Sequence, residues 1–77
     1  MMNDKSSITF LGRYGMLFTD EDAVIYSVII EKIGDTVMLF KGGIKAINRH
    51  KILTDKDIEI IVAKILSLQP DVKWRIE

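Results

Sequence analysis

Two apolar runs, Val28–Ile33 and Thr36–Phe40, are separated by only two residues, Gly34-Asp35. A two-residue loop with glycine first suits a type II′ hairpin, whose backbone twist matches that of the strands it joins. The loop fixes a register in which Ile33 faces Thr36, Ile30 faces Leu39 and Ile29 faces Phe40. Side chains alternate along a strand, so this register also decides which residues share a face. Upstream, the acidic group Asp20-Glu21-Asp22 reads as a turn between strands. If it pairs Thr19 with Ala23, Met16 lies opposite Tyr26 and Phe18 opposite Val24. One face then carries Tyr14, Met16, Phe18, Val24, Tyr26, Val28, Ile30, Val37 and Leu39, the expected core. The other carries Gly15, Leu17, Thr19, Ile25, Ser27, Ile29, Glu31, Met38 and Phe40, and it too is largely apolar.

The hydrophobic period then changes. Thr54 is a good N-cap, with Asp57 placed as in a capping box and Asp55 favouring the positive end of the helix dipole. Ile58, Ile61, Val62, Ile65, Leu66 and Leu68 follow at helical spacing, and Pro70 ends the helix. In the closing segment Val72, Trp74 and Ile76 alternate with Lys73, Arg75 and Glu77, as in a half-buried strand. The expected fold is α+β: an antiparallel β-meander of about four strands, one long C-terminal helix on one face, and a final strand rejoining the sheet. Residues 1–6 read as a disordered N-terminal tail and 7–77 as a single domain.

Composition narrows the function classes. A chain of 77 residues buries only roughly 60% of the surface its unfolded form exposes, so its stability margin is thin. Without cysteine it has neither disulfides nor a thiolate zinc site, which fits a reducing compartment. Lys plus Arg balance Asp plus Glu at 11 each, so the whole molecule offers little electrostatic steering towards nucleic acid or an anionic membrane. No apolar run approaches the roughly 20 residues of a membrane span, and the polar start lacks a signal-peptide core. A cytoplasmic location without membrane association is expected.

The chemistry-bearing motifs are weak. Lys41 to Lys51, KGGIKAINRHK, has adjacent glycines but lacks the Gly-Lys-Ser/Thr of a phosphate loop, and reads as a bend where the chain leaves the sheet. Its cations Lys41, Lys45, Arg49 and Lys51 make a nucleic-acid patch conceivable, yet no aromatic residues interleave for base stacking. Asp20 to Glu31 has the length and ends of an EF-hand calcium loop, but Ile25 stands where its glycine must be and Val24 where an oxygen ligand belongs. His50 has no second histidine or cysteine to share a metal, and no nucleophile motif to serve. Asp55 and Asp57 are accounted for by capping. No catalytic residue, metal or cofactor is expected.

The second apolar face is the feature left over. If Leu17, Ile25, Ile29, Met38 and Phe40 face water, they form a patch of the kind that marks an interaction surface. Burying five such side chains contributes on the order of 8–15 kcal/mol before association costs. The competing expectation is that Ile8–Leu11 or the 41–53 connector folds over this face and closes a sandwich.

Residues 7–77 resemble the small bacterial immunity proteins grouped as immunity protein 74. The resemblance rests on Gly12-Arg13-Tyr14-Gly15, the strand ending in Glu31, the strand entering Gly42-Gly43-Ile44-Lys45, and the terminal helix–strand pair. A tryptophan commonly follows the segment matching Ile44–Ile47 in that family, and Asn48 holds the place here. The resemblance implies a protein that blocks a cognate toxin by stoichiometric binding. Tyr14, Asp20, Glu21 and Asp22 are then candidate partner-binding residues, the acids as a rim for a basic toxin. The other expectations are a structural or regulatory homodimer joined through the apolar face, and a weak nucleic-acid binder using the 41–51 segment.

Overall fold

A computed structural model of the chain describes residues 5–77. Its elements run β1 (Ser7–Phe10), β2 (Gly15–Thr19), β3 (Ile25–Ile33), β4 (Thr36–Ala46), α1 (Asp55–Leu68) and β5 (Lys73–Ile76). The five strands form one sheet in sequential order. β1 to β4 are antiparallel neighbours, and β5 pairs parallel to β4. A parallel pair needs a long crossover, which the 47–54 connector and α1 supply. This is the α+β architecture expected from the change of period. The expected tail falls in part on residues 1–4, outside those described, and β1 starts at Ser7.

The Gly34-Asp35 loop holds the expected register, with Ile33 on Thr36, Ile30 on Leu39 and Ile29 on Phe40. Gly34 alone in the loop has positive φ, +59°, as a type II′ turn requires at its first central position. The β2–β3 register differs from expectation by two residues: Met16 lies opposite Val28 and Phe18 opposite Tyr26. The cause is a wider turn. Asp20 Oδ1 accepts from the amides of Asp22 and Val24, each at 2.9 Å, and Ala23 takes φ +63°, so pairing starts at Thr19–Ile25. A shift of two leaves every side chain on its intended face.

β4 continues past its glycines, contrary to their reading as an exit from the sheet. Two steps along β3, from Ile29 to Ser27, correspond to five along β4, from Phe40 to Lys45. The extra residues are a bulge that changes the parity of β4. Val37 and Leu39 point inward before it, and Ile44 and Ala46 after it. Gly43 permits a tight fold there, since a Cβ on it would stand 2.6–2.8 Å from three side-chain atoms of Ile29.

Inside the curl lie Met16, Phe18, Val24, Tyr26, Val28, Ile30, Val37, Leu39 and Ile44, covered by Ile61, Val62 and Ile65 of α1. Tyr14 was expected among them but is 61% exposed. It belongs to the turn before β2, where its carbonyl accepts from the Ile30 amide at 3.1 Å and Arg13 lies 5.6 Å over its ring. Phe10 of β1 stacks on Trp74 of β5 at 6.5 Å although the two strands are opposite margins of the sheet. The sheet is therefore strongly curled, with α1 across its open side. At the helix start the Thr54 hydroxyl accepts from the Asp57 amide (3.1 Å) and the Asp57 carboxylate accepts from the Thr54 amide (3.0 Å), the reciprocal capping box.

Candidate functional site

The residues singled out from the sequence fall on two separate surfaces. Leu17, Ile25, Ile29, Met38 and Phe40 all point to the outer face of the sheet, opposite α1. Cross-strand neighbours there are Ile29–Phe40 and Gly15–Ile29, with Met38 beside Glu31 and Arg75. Ile29 is 51% exposed, while the other four are half-buried. Ile47 extends the ladder beyond Ile25, accepted by its carbonyl at 2.9 Å, and is exposed as well. Neither expected segment closes a sandwich: β1 lies in the plane of the sheet as a margin strand, and residues 41–46 are part of β4, whose bulge touches this face only where Gly43 packs on the Ile29 side chain. Among the described residues no element is stacked on this face. Glu31, Lys45 and Arg75 border it, giving an apolar centre with charges of both signs at its edge.

The acidic turn forms the second surface, and there the geometry departs from a free rim. Asp20 uses Oδ1 to close its own turn and Oδ2 to accept from the Tyr26 hydroxyl at 3.1 Å. Tyr26 in turn accepts from Lys51 Nζ at 3.3 Å. Glu21 pairs with Lys64 of α1 at 2.6 Å, a partly exposed contact contributing under about 1 kcal/mol. The Asp22 carbonyl accepts from Arg49 at 3.1 Å. Asn48 holds the same turn from its other side, accepting from the Ile25 amide and donating to the Ala23 carbonyl, each at 2.9 Å. The acidic turn and the basic connector are thus bound to each other. Arg49 and Lys51 are committed to that contact, whereas Lys41 and Lys45 project from β4 into solvent.

A cleft of about 160 Å³ opens at this corner, with Phe18, Asp20, Tyr26, Lys51, Asp57 and Lys64 on its walls. Its polar groups are bonded to one another. The Tyr26 hydroxyl already donates to Asp20 and accepts from Lys51. The hydrogen bond to Tyr26 and the closeness of that oxygen hold the Lys51 ammonium above its ordinary pKa, with Asp57 and Asp20 adding to the effect. Lys51 therefore stays charged at neutral pH and offers no free amine nucleophile. Asp57 lies below the ordinary carboxylate value because the Thr54 amide and hydroxyl bond its charged form, so it offers no proton. His50 is exposed on the connector, near Asn48 and Arg49, and does not border the cleft. Among the described residues no group of three or more His, Cys, Asp or Glu is placed to hold a metal, and no helix is long and apolar enough to cross a membrane.

No family model, no curated protein and no solved structure matches this chain. Geometry alone must rank its surfaces. Sequence reasoning placed the outer apolar residues together, because hairpin register and strand alternation are local rules. It missed the Asp20–Tyr26–Lys51 chain, whose last link joins residues 25 positions apart. The Asp-x-Asp turn was visible in the sequence. Nothing there signalled which cation would fold back upon it.

Proposed function

We propose that this chain is a non-enzymatic protein-binding module, and that its working surface is the outer face of the sheet centred on Ile29. The observation that carries the reading is the absence, among the described residues, of any layer over Leu17, Ile25, Ile29, Met38 and Phe40. An apolar centre bordered by Glu31, Lys45 and Arg75 has the anatomy of a protein interface, with a greasy middle and a polar rim. The partner class we favour is a bacterial toxin, neutralised by stoichiometric binding in the cytoplasm, which is what the sequence resemblance of residues 7–77 to immunity protein 74 would imply. Tyr14, exposed on the turn before β2, and Asp22, exposed on the acidic turn, are the candidate contacts outside this face. Asp20 and Glu21 serve mainly to build the turn.

The test is co-expression with the toxin domain encoded by the reading frame immediately upstream of the gene. Wild-type protein is expected to restore growth and to copurify with that domain at one to one. Ile29→Asp, which places a charge on an exposed position, is expected to abolish both effects while the unfolding midpoint stays close to wild type. Protection that survives Ile29→Asp, or growth rescue at strongly substoichiometric levels of the protein, would count against the proposal.

A further inference from the structure

The two margins of the sheet are unlike. β5 carries Lys73 and Arg75 and is preceded by Pro70, residues that discourage pairing with another strand. β1, with the sequence Ser7-Ile8-Thr9-Phe10, contains no charge, proline or bulge. The Leu11 amide donates to the Gly15 carbonyl at 2.8 Å, and hydrogen-bonded pairs alternate along an antiparallel ladder. Thr9–Leu17 and Ser7–Thr19 are therefore the bonded pairs, and the N–H and C=O groups of Ile8 and Phe10 point away from β2.

Beside this margin α1 presents an open groove of about 430 Å³ lined by Ile60, Ala63, Lys64, Ser67 and Leu68. These residues form one flank of the helix, at helical spacing, and Ile60 is 47% exposed. The flank is on the β1 side. Ile60 and Lys64 also border Phe18 and Glu21 of the β2 end, and α1 touches β1 itself. The opposite flank, Asp55, Ile58 and Glu59, faces Lys41 and Gly42 of β4.

We propose that the β1 margin and this flank of α1 together form an interface with a second copy of the chain. The two β1 strands pair antiparallel across a two-fold axis perpendicular to the sheet. Ile8 exchanges bonds with the second copy's Phe10, which uses all four outward-facing backbone groups, and Thr9 meets the second copy's Thr9. That axis leaves both helices on the same side of a continuous sheet, so their β1-side flanks face each other. Small Ala63 and Ser67 let them approach, and Ile60 fills the space between.

Three properties favour a second copy over a foreign strand. β1 is uncharged and pairs with itself without opposing like charges. The formal net charge is zero, so two copies do not repel at long range. Among the described residues β1 is the one margin without charge or proline to discourage pairing, so the assembly closes at two rather than growing into a fibre. The interface is distinct from the outer face and leaves that face open in both copies.

Sedimentation equilibrium over a concentration series, with hydrogen exchange on the same samples, tests this. Wild type is expected to have the mass of two chains, with the Ile8 and Phe10 amides gaining protection as concentration rises. Thr9→Lys, on an exposed side chain at the dyad, and Ala63→Glu, on the facing helix flank, are each expected to give folded monomers with an unchanged near-ultraviolet Trp74 spectrum. Ile29→Asp is expected to leave the dimer intact, which separates this interface from the binding face. The proposal is overturned by a wild type that is monomeric at its highest attainable concentration. It is equally overturned by a dimer that survives both Thr9→Lys and Ala63→Glu, or by one lost in Ile29→Asp alone.

Discussion

Ala23 is the residue whose backbone is least suited to its side chain. Its φ of +63° lies in the left-handed region, where a Cβ meets the following carbonyl at a cost of about 1–2 kcal/mol. Replacing it with glycine removes that clash but adds freedom to the unfolded chain. Ala23→Gly is expected to stabilise the protein by about 0.5–1 kcal/mol, read as a higher urea midpoint with unchanged slope. Gly43 is the converse case. A methyl group there would collide with Cβ, Cγ1 and Cδ1 of Ile29, and because Cβ is among them rotation of the side chain alone does not relieve it. Gly43→Ala is expected to cost about 1–3 kcal/mol, as overpacking does, and the double variant Gly43→Ala/Ile29→Ala to recover most of it. A simple sum of the two single effects would show that the close approach is not what selects glycine.

At the scale of the elements, α1 depends on its first turn. Thr54→Ala is expected to destabilise the protein by about 1 kcal/mol, because the Asp57 amide loses its acceptor. Asp57 adds a pH dependence whose sign follows from its depressed pKa. The charged carboxylate favours the folded state above its ordinary value of 3.8, and that contribution is lost as pH falls through the lower folded value. Stability measured between pH 6 and 2 is expected to fall more steeply in wild type than in Asp57→Asn; parallel curves would remove Asp57 from the account. The capping box was legible because its residues are three apart, as were the hairpin, the helical stripe and the alternation of β5. The β4 bulge was less so. Adjacent glycines suggested an exit, yet the inward residues change from odd positions, Val37 and Leu39, to even ones, Ile44 and Ala46, and only a bulge reconciles that change with a continuous strand. Tyr14 was misplaced because alternation was extended one residue beyond the true start of β2. The outer apolar residues were correctly grouped, whereas the absence of a cover was a tertiary fact that periodicity does not carry.

At the scale of the whole molecule, the two margin strands β1 and β5, far apart in sequence, are tied to each other. Phe10 and Trp74 stack beneath α1, the Trp74 indole N–H donates to the Gln69 carbonyl at 3.0 Å, and Lys32 Nζ lies 4.3 Å from the Phe10 ring centroid. Phe10→Ala is expected to cost about 2 kcal/mol, less than the 3–5 of a fully buried phenylalanine, with Trp74 emission shifted to longer wavelength. An unshifted spectrum would mean that the two rings are neighbours without mutual support. The same contact bears on how the protein comes into being. β1 can pair with β2 early, but its Phe10 ring lacks its stacking partner until Trp74 of β5 has been made. A nascent chain on the ribosome therefore holds an unsealed meander until β5 has emerged, and the final cooperative step waits for that strand.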